Sequence, residues 1–373
     1  MFNVRDEKRD GFMLNKSFAR KGYDWWWHSF TAVNAKTGEE KAFFIEFFVM
    51  NPKYGKKYPV FGQTQGGKKE KPSYVMIKAG CWGEDSVQLH RFYGIKKAII
   101  RPQTPFVIKA GNCFLNEHET CGVIKVSKGG AARHPEWMSD AGEMEWKISI
   151  NKQIAYNVGY GAGTIMREMQ AFDMYWHAQG MKTKYCGQIK LNGELYNILP
   201  EKSYGYADKN WGRDFTSPWL WLSSNNLYSR VKKKQLRNSV FDIGGGRPRV
   251  FGIPLEGKLL GGLYLEGEEF DYNFSKFWTL SRQRFISNEL EDKITWKVWL
   301  ENKDSLMMIN VICPKNEMIF VNYVSPDGEK RHNRLWNGGT GKAILKIYKK
   351  KREGLELVDI IEARNVGCEY GEY

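Results

Sequence analysis

Short runs of apolar residues alternating with polar ones, broken by turn residues, fill most of the chain. Residues 25–33 and 42–50 form two such runs around Asn34-Ala35-Lys36-Thr37-Gly38, which predicts a β-hairpin. In the second run Phe44, Glu46 and Phe48 share one face of the strand, and Phe43, Ile45 and Phe47 share the other. A carboxylate is thus set among rings, either salt-bridged or available as an acid. Trp25-Trp26-Trp27 sends two indoles to one face and one to the other.

Further strands are predicted over 73–82, 86–93, 96–102, 121–127 and 144–150. Residues 184–199 read as a hairpin with Asn192-Gly193 at its tip. Beyond it the runs at 219–228, 238–246, 249–255, 258–272, 276–281, 293–302, 305–314, 317–324, 343–350 and 356–367 follow at short spacing, and the terminal CEYGEY reads as a last strand or tail. One helix is expected where Met166, Met169, Phe172 and Trp176 repeat at helical spacing, packed over a barrel end. Gly159-Tyr160-Gly161-Ala162-Gly163 lacks the lysine and hydroxyl residue of a phosphate loop and reads as a plain loop. So many strands with so little helix predict an all-β fold of two barrels or sandwiches packed side by side, residues 1–200 and 201–373. Their shared interface is the natural place for a ligand.

Composition sharpens this picture. Aromatic residues make up 14% of the chain, which suits strands and apolar pockets. No apolar run reaches the roughly 18 residues of a membrane helix, and the charged start resembles no signal peptide. The six cysteines, Cys81, Cys113, Cys121, Cys186, Cys313 and Cys368, lack paired spacing and read as free thiols of a cytoplasmic protein. The net charge of +15 comes with short basic runs beside turn residues, which places them on hairpin tips. No nucleic-acid module accompanies them; weak association with an anionic membrane surface is the other reading of that charge.

The histidines form no metal-binding pair, and His118 with Glu117, Glu119 and Cys121 is too loosely spaced for zinc. No GxSxG element is present to anchor an esterase triad. Neither a metal nor a cofactor is expected.

The stretch from Tyr204 to Ser229 combines wide rings with a cluster of charges. Within it, Gly205-Tyr206-Ala207-Asp208-Lys209-Asn210-Trp211-Gly212, then Pro218-Trp219-Leu220-Trp221, then Asn225-Asn226, resembles the tocopherol cyclase family, most clearly over residues 172–228. The resemblance implies two lipocalin-like barrels around an apolar cavity, related to carotenoid hydratases and to enzymes that fold polyenes for ring closure. In the plant enzymes a prenylated quinol becomes a chromanol. Asp208 stands where the family often has Glu.

Such chemistry needs a carboxylic acid kept protonated by an apolar site, aromatic faces for the cation, and a dry cavity. Asp208 is the first candidate acid, with Tyr206 as its relay and Glu46 as the second candidate. Trp211, Trp219 and Trp221 are candidate walls, and Asn210 and Asn225 candidates for orienting a polar head group. If the run is extended, Asp208 and Lys209 face opposite ways. The competing structural reading makes Asp208 a corner, Trp211 a plug of the barrel base and Gly212 a positive-φ residue. The functional expectation is acid-promoted cyclisation or hydration of a prenyl or polyene substrate. The alternative is a non-catalytic carrier of a hydrophobic small molecule.

Overall fold

The computed structural model describes residues 2–62, 64–65, 68–103, 105–158, 167–274, 280–321, 323–329 and 334–372. Two twelve-stranded antiparallel sheets account for most of them. The first contains β1 (Tyr23–Asn34), β2 (Glu40–Met50), β3 (Tyr74–Cys81), β4 (Val87–Tyr93), β5 (Ala98–Arg101), β6 (Val107–Ala110), β7 (Cys113–Asn116), β8 (Glu119–Val126), β9 (Gly142–Tyr156), β10 (Met174–Leu191), β11 (Glu194–Ile198) and β12 (Gly205–Gly212). Its order is β4-β3-β2-β1-β11-β10-β9-β8-β7-β6-β5, with β12 also pairing β1 and β10.

The second contains β13 (Trp219–Ser224), β14 (Asn226–Ser229), β15 (Lys234–Leu236), β16 (Ser239–Gly246), β17 (Lys258–Leu265), β18 (Glu268–Asn273), β19 (Arg282–Glu289), β20 (Lys293–Glu301), β21 (Ser305–Pro314), β22 (Ile319–Val321), β23 (Arg334–Lys351) and β24 (Gly354–Glu372). Its main path is β18-β17-β16-β13-β24-β23-β21-β20-β19. The all-β expectation holds, and residues 368–372 complete β24. Sheet membership changes between Gly212 and Trp219, somewhat beyond the boundary expected at residue 200, because β12 closes the first sheet against β1 and β10.

The alternation does what period two requires. In β20, Ile294, Trp296, Val298 and Leu300 point into the second barrel and Lys293 and Lys297 point out. The tip Asn192-Gly193 has positive φ at both residues, as the tight hairpin needs. Lys232 and Lys233 lie in the exposed turn between β14 and β15, as expected of the basic runs.

The predicted helix is not formed across Phe172 to Trp176. Met174 to Gly180 opens β10, which pairs with β12 and β9. The helical spacing of apolar residues there arises because both faces of β10 are covered, so apolar side chains need not alternate. Met166, the loop 159–165 and most of the run 276–281 lie outside the described residues.

Three apolar clusters result. One fills the first barrel, one the second, and the third lies between them with Tyr23, Trp27, Phe44, Phe48, Trp82, Trp176, Tyr206, Trp219, Trp221 and Tyr323. Strands β12 and β13 are buried along their whole length because each has a barrel on one face and the interface on the other. Three of the interface indoles lie against glycines of the second sheet. A Cβ on Gly244, Gly339 or Gly367 would come within 2.9, 2.3 or 2.2 Å of Trp176, Trp82 or Trp221.

Candidate active site between the barrels

Strand β12 carries two separate chemistries on its two faces. Ala207, Lys209 and Trp211 face into the first barrel, and Tyr206, Asp208 and Asn210 face the second. This resolves the mixture of rings and charges in the stretch: both faces are buried, and each polar residue has its own partners.

On the inner face Lys209 makes an ion pair with Asp24, and both are fully buried. The ammonium lies 4.0 Å from the ring centre of Trp26 and 5.3 Å from that of Trp211. Trp211 stacks on Tyr175 at 5.3 Å. Burial raises the Asp24 carboxyl to about 6 despite Lys209, and lowers the ammonium of Lys209. The chain before β1 closes this end, with Met13 N–H donating to Asp24 Oδ2 at 2.7 Å and Trp26 Nε1 to the Asp10 carbonyl at 2.7 Å. Trp211 therefore packs in the core of the first barrel, on the face turned away from the second.

On the outer face Asp208 is buried, and the donors it meets are neutral. Trp176 Nε1 donates to Oδ2 at 2.9 Å and the Tyr206 hydroxyl to the same oxygen at 3.4 Å. Oδ1 is buried without a hydrogen-bond partner. Burial, reinforced by Glu369 and Glu46, pushes this carboxyl up to about 8. Asp208 is thus held as a neutral acid in mid-strand and forms no corner.

Across the interface Trp221 Nε1 donates to the Tyr206 hydroxyl and to Asp242 Oδ1, each at 3.1 Å. Asp242 on β16 is fully buried, its Oδ2 has no hydrogen-bond partner, and burial with the nearby Asp208 raises its carboxyl well above the usual range. The Tyr206 hydroxyl has one proton and two neighbouring carboxyls, Asp208 and Asp242, to serve with it. Tyr206 and Trp221 thus link Asp208 of the first sheet to Asp242 of the second.

Glu369 on β24 is a third acid of this interface. It accepts from Trp219 Nε1 at 2.7 Å and from Asn337 at 3.2 Å, and burial raises it to about 7. Glu46 differs. Its Oε2 lies 2.6 Å from the Lys78 ammonium and accepts from the Tyr323 hydroxyl at 2.9 Å, with both charged side chains buried. Glu46, the second candidate acid, is thus an ion-paired carboxylate, unlike Asp208.

Asn210 accepts from the Tyr23 hydroxyl at 2.8 Å on the interface side, and its Nδ2 is buried without a partner. Asn225 donates to the carbonyls of Gly205 and Met181, at 2.8 and 3.3 Å. It fastens β12 and β10 to the second sheet. Gly212 has no positive φ; glycine is needed because a Cβ would meet the Asp173 carbonyl oxygen at 2.0 Å.

An apolar cavity of about 80 Å³ is bordered by Met174, Trp176, Thr216, Trp219 and Leu260. Trp176 forms its wall and hydrogen-bonds Asp208, with Trp219 edge-on at 6.1 Å. That volume takes a small apolar group beside the acid. Among the described residues no group of His, Cys, Asp and Glu is arranged to hold a metal ion, and no helix is long and apolar enough to cross a membrane. The six cysteines are free thiols, Cys121 and Cys186 exposed and the others buried.

Sequence reasoning missed Trp176, Asp242, Glu369, Lys78 and Tyr323. Asp242 and Glu369 carry the signal that singled out Glu46, a lone carboxylate in an apolar strand. Trp176 was hidden by its helical spacing.

The fold and the site define a class: two antiparallel barrels with carboxyls and indoles buried between them. The family described as tocopherol cyclase-like matches residues 105–368, and the chain belongs to it. No curated protein matches. Among solved structures, kievitone hydratase from Nectria haematococca is similar over 100% of this chain and 96% of its own, with a TM-score of 0.50 and 11% identity. CghA with Sch210972 is similar over 95% and 89%, with a TM-score of 0.47 and 9% identity. An AttH-type protein of Nitrosomonas europaea is similar over 95% and 97%, with a TM-score of 0.46 and 10% identity.

Proposed function

We propose that the protein is a cyclase or hydratase that protonates an alkene of an apolar, prenyl-type substrate, with Asp208 as the proton donor. One observation carries this reading: a fully buried carboxyl, raised to about 8, that meets neutral donors and leaves one oxygen open. Such an acid stays protonated near neutrality, as general-acid catalysis requires.

Proton transfer to an alkene carbon leaves a tertiary cation. The faces of Trp176, Trp219 and Trp221 stabilise it, because aromatic quadrupoles attract positive charge. Burial keeps bulk water from quenching it. Tyr206 and Trp221 connect the spent Asp208 to Asp242, whose carboxyl burial also raises. The family match supports this class of reaction.

The test is incubation with prenylated quinols, following chromanol formation in the wild type and in Asp208→Asn. Loss of product in the variant is expected; undiminished activity would remove Asp208 as the acid. Binding from a lipid extract without turnover of any bound compound would make the protein a carrier.

A further inference from the structure

Trp27 stands between two carboxyls. It pairs with Asp208 of β12 on one side and with Glu46 of β2 on the other, in one row across the face turned to the second barrel. The row continues to Lys78 of β3. Two atoms in it are buried without hydrogen-bond partners besides the open oxygen of Asp208: the Nε1–H of Trp27 and the Oε1 of Glu46. Glu46 is fully buried and Trp27 is 7% exposed. The other Glu46 oxygen is occupied by Lys78 and Tyr323, and Lys78 lies 5.8 Å from the Trp27 ring centre, so indole and ion pair are neighbours.

A buried donor and a buried acceptor left open side by side are costly unless one guest satisfies both. A hydroxyl group does so: its oxygen accepts from the indole and its proton goes to the carboxylate. Asp208 and Glu46 are two strand spacings apart, roughly 10 Å along the sheet.

We propose that Trp27 and Glu46 form a hydroxyl-binding subsite in which Glu46 accepts the proton of the O–H group that adds to the substrate cation. This rests on the reading of Asp208 as the proton donor. The bonds balance. The alkene π pair takes the Asp208 proton as a new C–H bond. An oxygen lone pair forms the C–O bond to the cationic carbon. The O–H bond breaks toward Glu46, whose carboxylate Lys78 pairs until it takes the proton, and the proton then returns to Asp208, which lost its own in the first step. The oxygen comes either from a hydroxyl of the substrate itself or from water.

The experiment runs the full-length protein with a geranyl-substituted phenol in D2O and measures two quantities: deuterium entering the alkene and C–O bonds formed. The first reports the Asp208 step and the second reports the subsite. In Glu46→Gln and in Trp27→Phe, C–O bonds formed per deuterium taken up fall at least about tenfold, the scale expected when a site's hydrogen-bonding partner is removed. Deuterium uptake itself stays within about threefold of wild type, a margin smaller than the loss of one hydrogen bond. Asp208→Asn loses both. Trp27→Phe leaves the Glu46–Lys78 ion pair in place, so it answers even where Glu46→Gln does not fold. A wild-type ratio in Trp27→Phe, or in a folded Glu46→Gln, overturns the subsite while Asp208 stands. Absence of deuterium uptake in the wild type overturns Asp208 and the subsite with it. With the ratio lowered as expected, H2¹⁸O identifies the guest: label in the product means water, and unlabelled product means the substrate's own hydroxyl.

Discussion

The indole of Trp176 donates a 2.9 Å hydrogen bond to Asp208 and at the same time walls the apolar cavity between the barrels. One side chain thus ties the acid to the space where a substrate end would sit. The bond favours the ionised carboxyl, against the larger opposing effect of burial.

Trp176→Phe removes that donor and keeps most of the ring. The Asp208 carboxyl then moves further up. On the proposed function, the alkaline limb of the rate–pH profile moves to higher pH, measured with any prenylated quinol that the wild type proves to turn over. An unmoved limb would separate Asp208 from the rate-controlling protonation.

The pH dependence of the wild type follows from the same carboxyl. Its ordinary value is 3.8 and its folded value about 8. Below the first, both folded and unfolded chains hold the proton. Between the two, the folded protein keeps a proton that the unfolded chain has released, so stability falls as pH rises, by at most about 1.4 kcal/mol per pH unit for such a group. Above the second the contribution is flat, and the rate declines because the acid is ionised. Urea unfolding at successive pH values checks this: Asp208→Asn has a shallower decline between 3.8 and about 8.

Asp208→Asn is expected to keep the fold, since the amide oxygen still accepts from Trp176. It loses about 10²–10⁴-fold in turnover, the usual scale of general acid catalysis. Thermal unfolding beside the activity assay separates loss of chemistry from loss of structure.

Lys209 neighbours Asp208 in sequence and does a different job. Lys209→Met leaves Asp24 buried without its cation, which costs roughly 3–5 kcal/mol. Adding Asp24→Asn recovers most of it, because no uncompensated charge remains. Chemical denaturation of the single and double variants measures both effects, and the folded double variant retains turnover.

Gly212→Ala tests the junction of β12 and β10. The added methyl meets the Asp173 carbonyl oxygen at 2.0 Å, so backbone must move. The expected loss is at least the roughly 1–3 kcal/mol of ordinary overpacking, read from the urea midpoint.

Much of this was legible in the residues, as particular positions show. Trp25, Trp26 and Trp27 divided as alternation required: Trp26 faces the first core, and Trp27 faces the interface. Asp208 and Lys209 parted to opposite faces for the same reason. The Asn192-Gly193 tip and the family block around Asp208 were likewise readable. The split roles of Trp211 and Trp221 were not, because alternation says that two residues face differently without saying which face meets a ligand.

The sequence alone determined the strands, their two-faced alternation, the tight turns and the family motif, since each depends on neighbours a few residues away. Only the tertiary structure decided that Asp242 and Glu369 join Asp208, that Glu46 is claimed by Lys78, and that Trp176 leaves its helical spacing for a strand. Those outcomes depend on which residues from distant strands and from the other barrel share one buried face. Burial there sets each carboxyl's charge, through partners that lie far away along the chain.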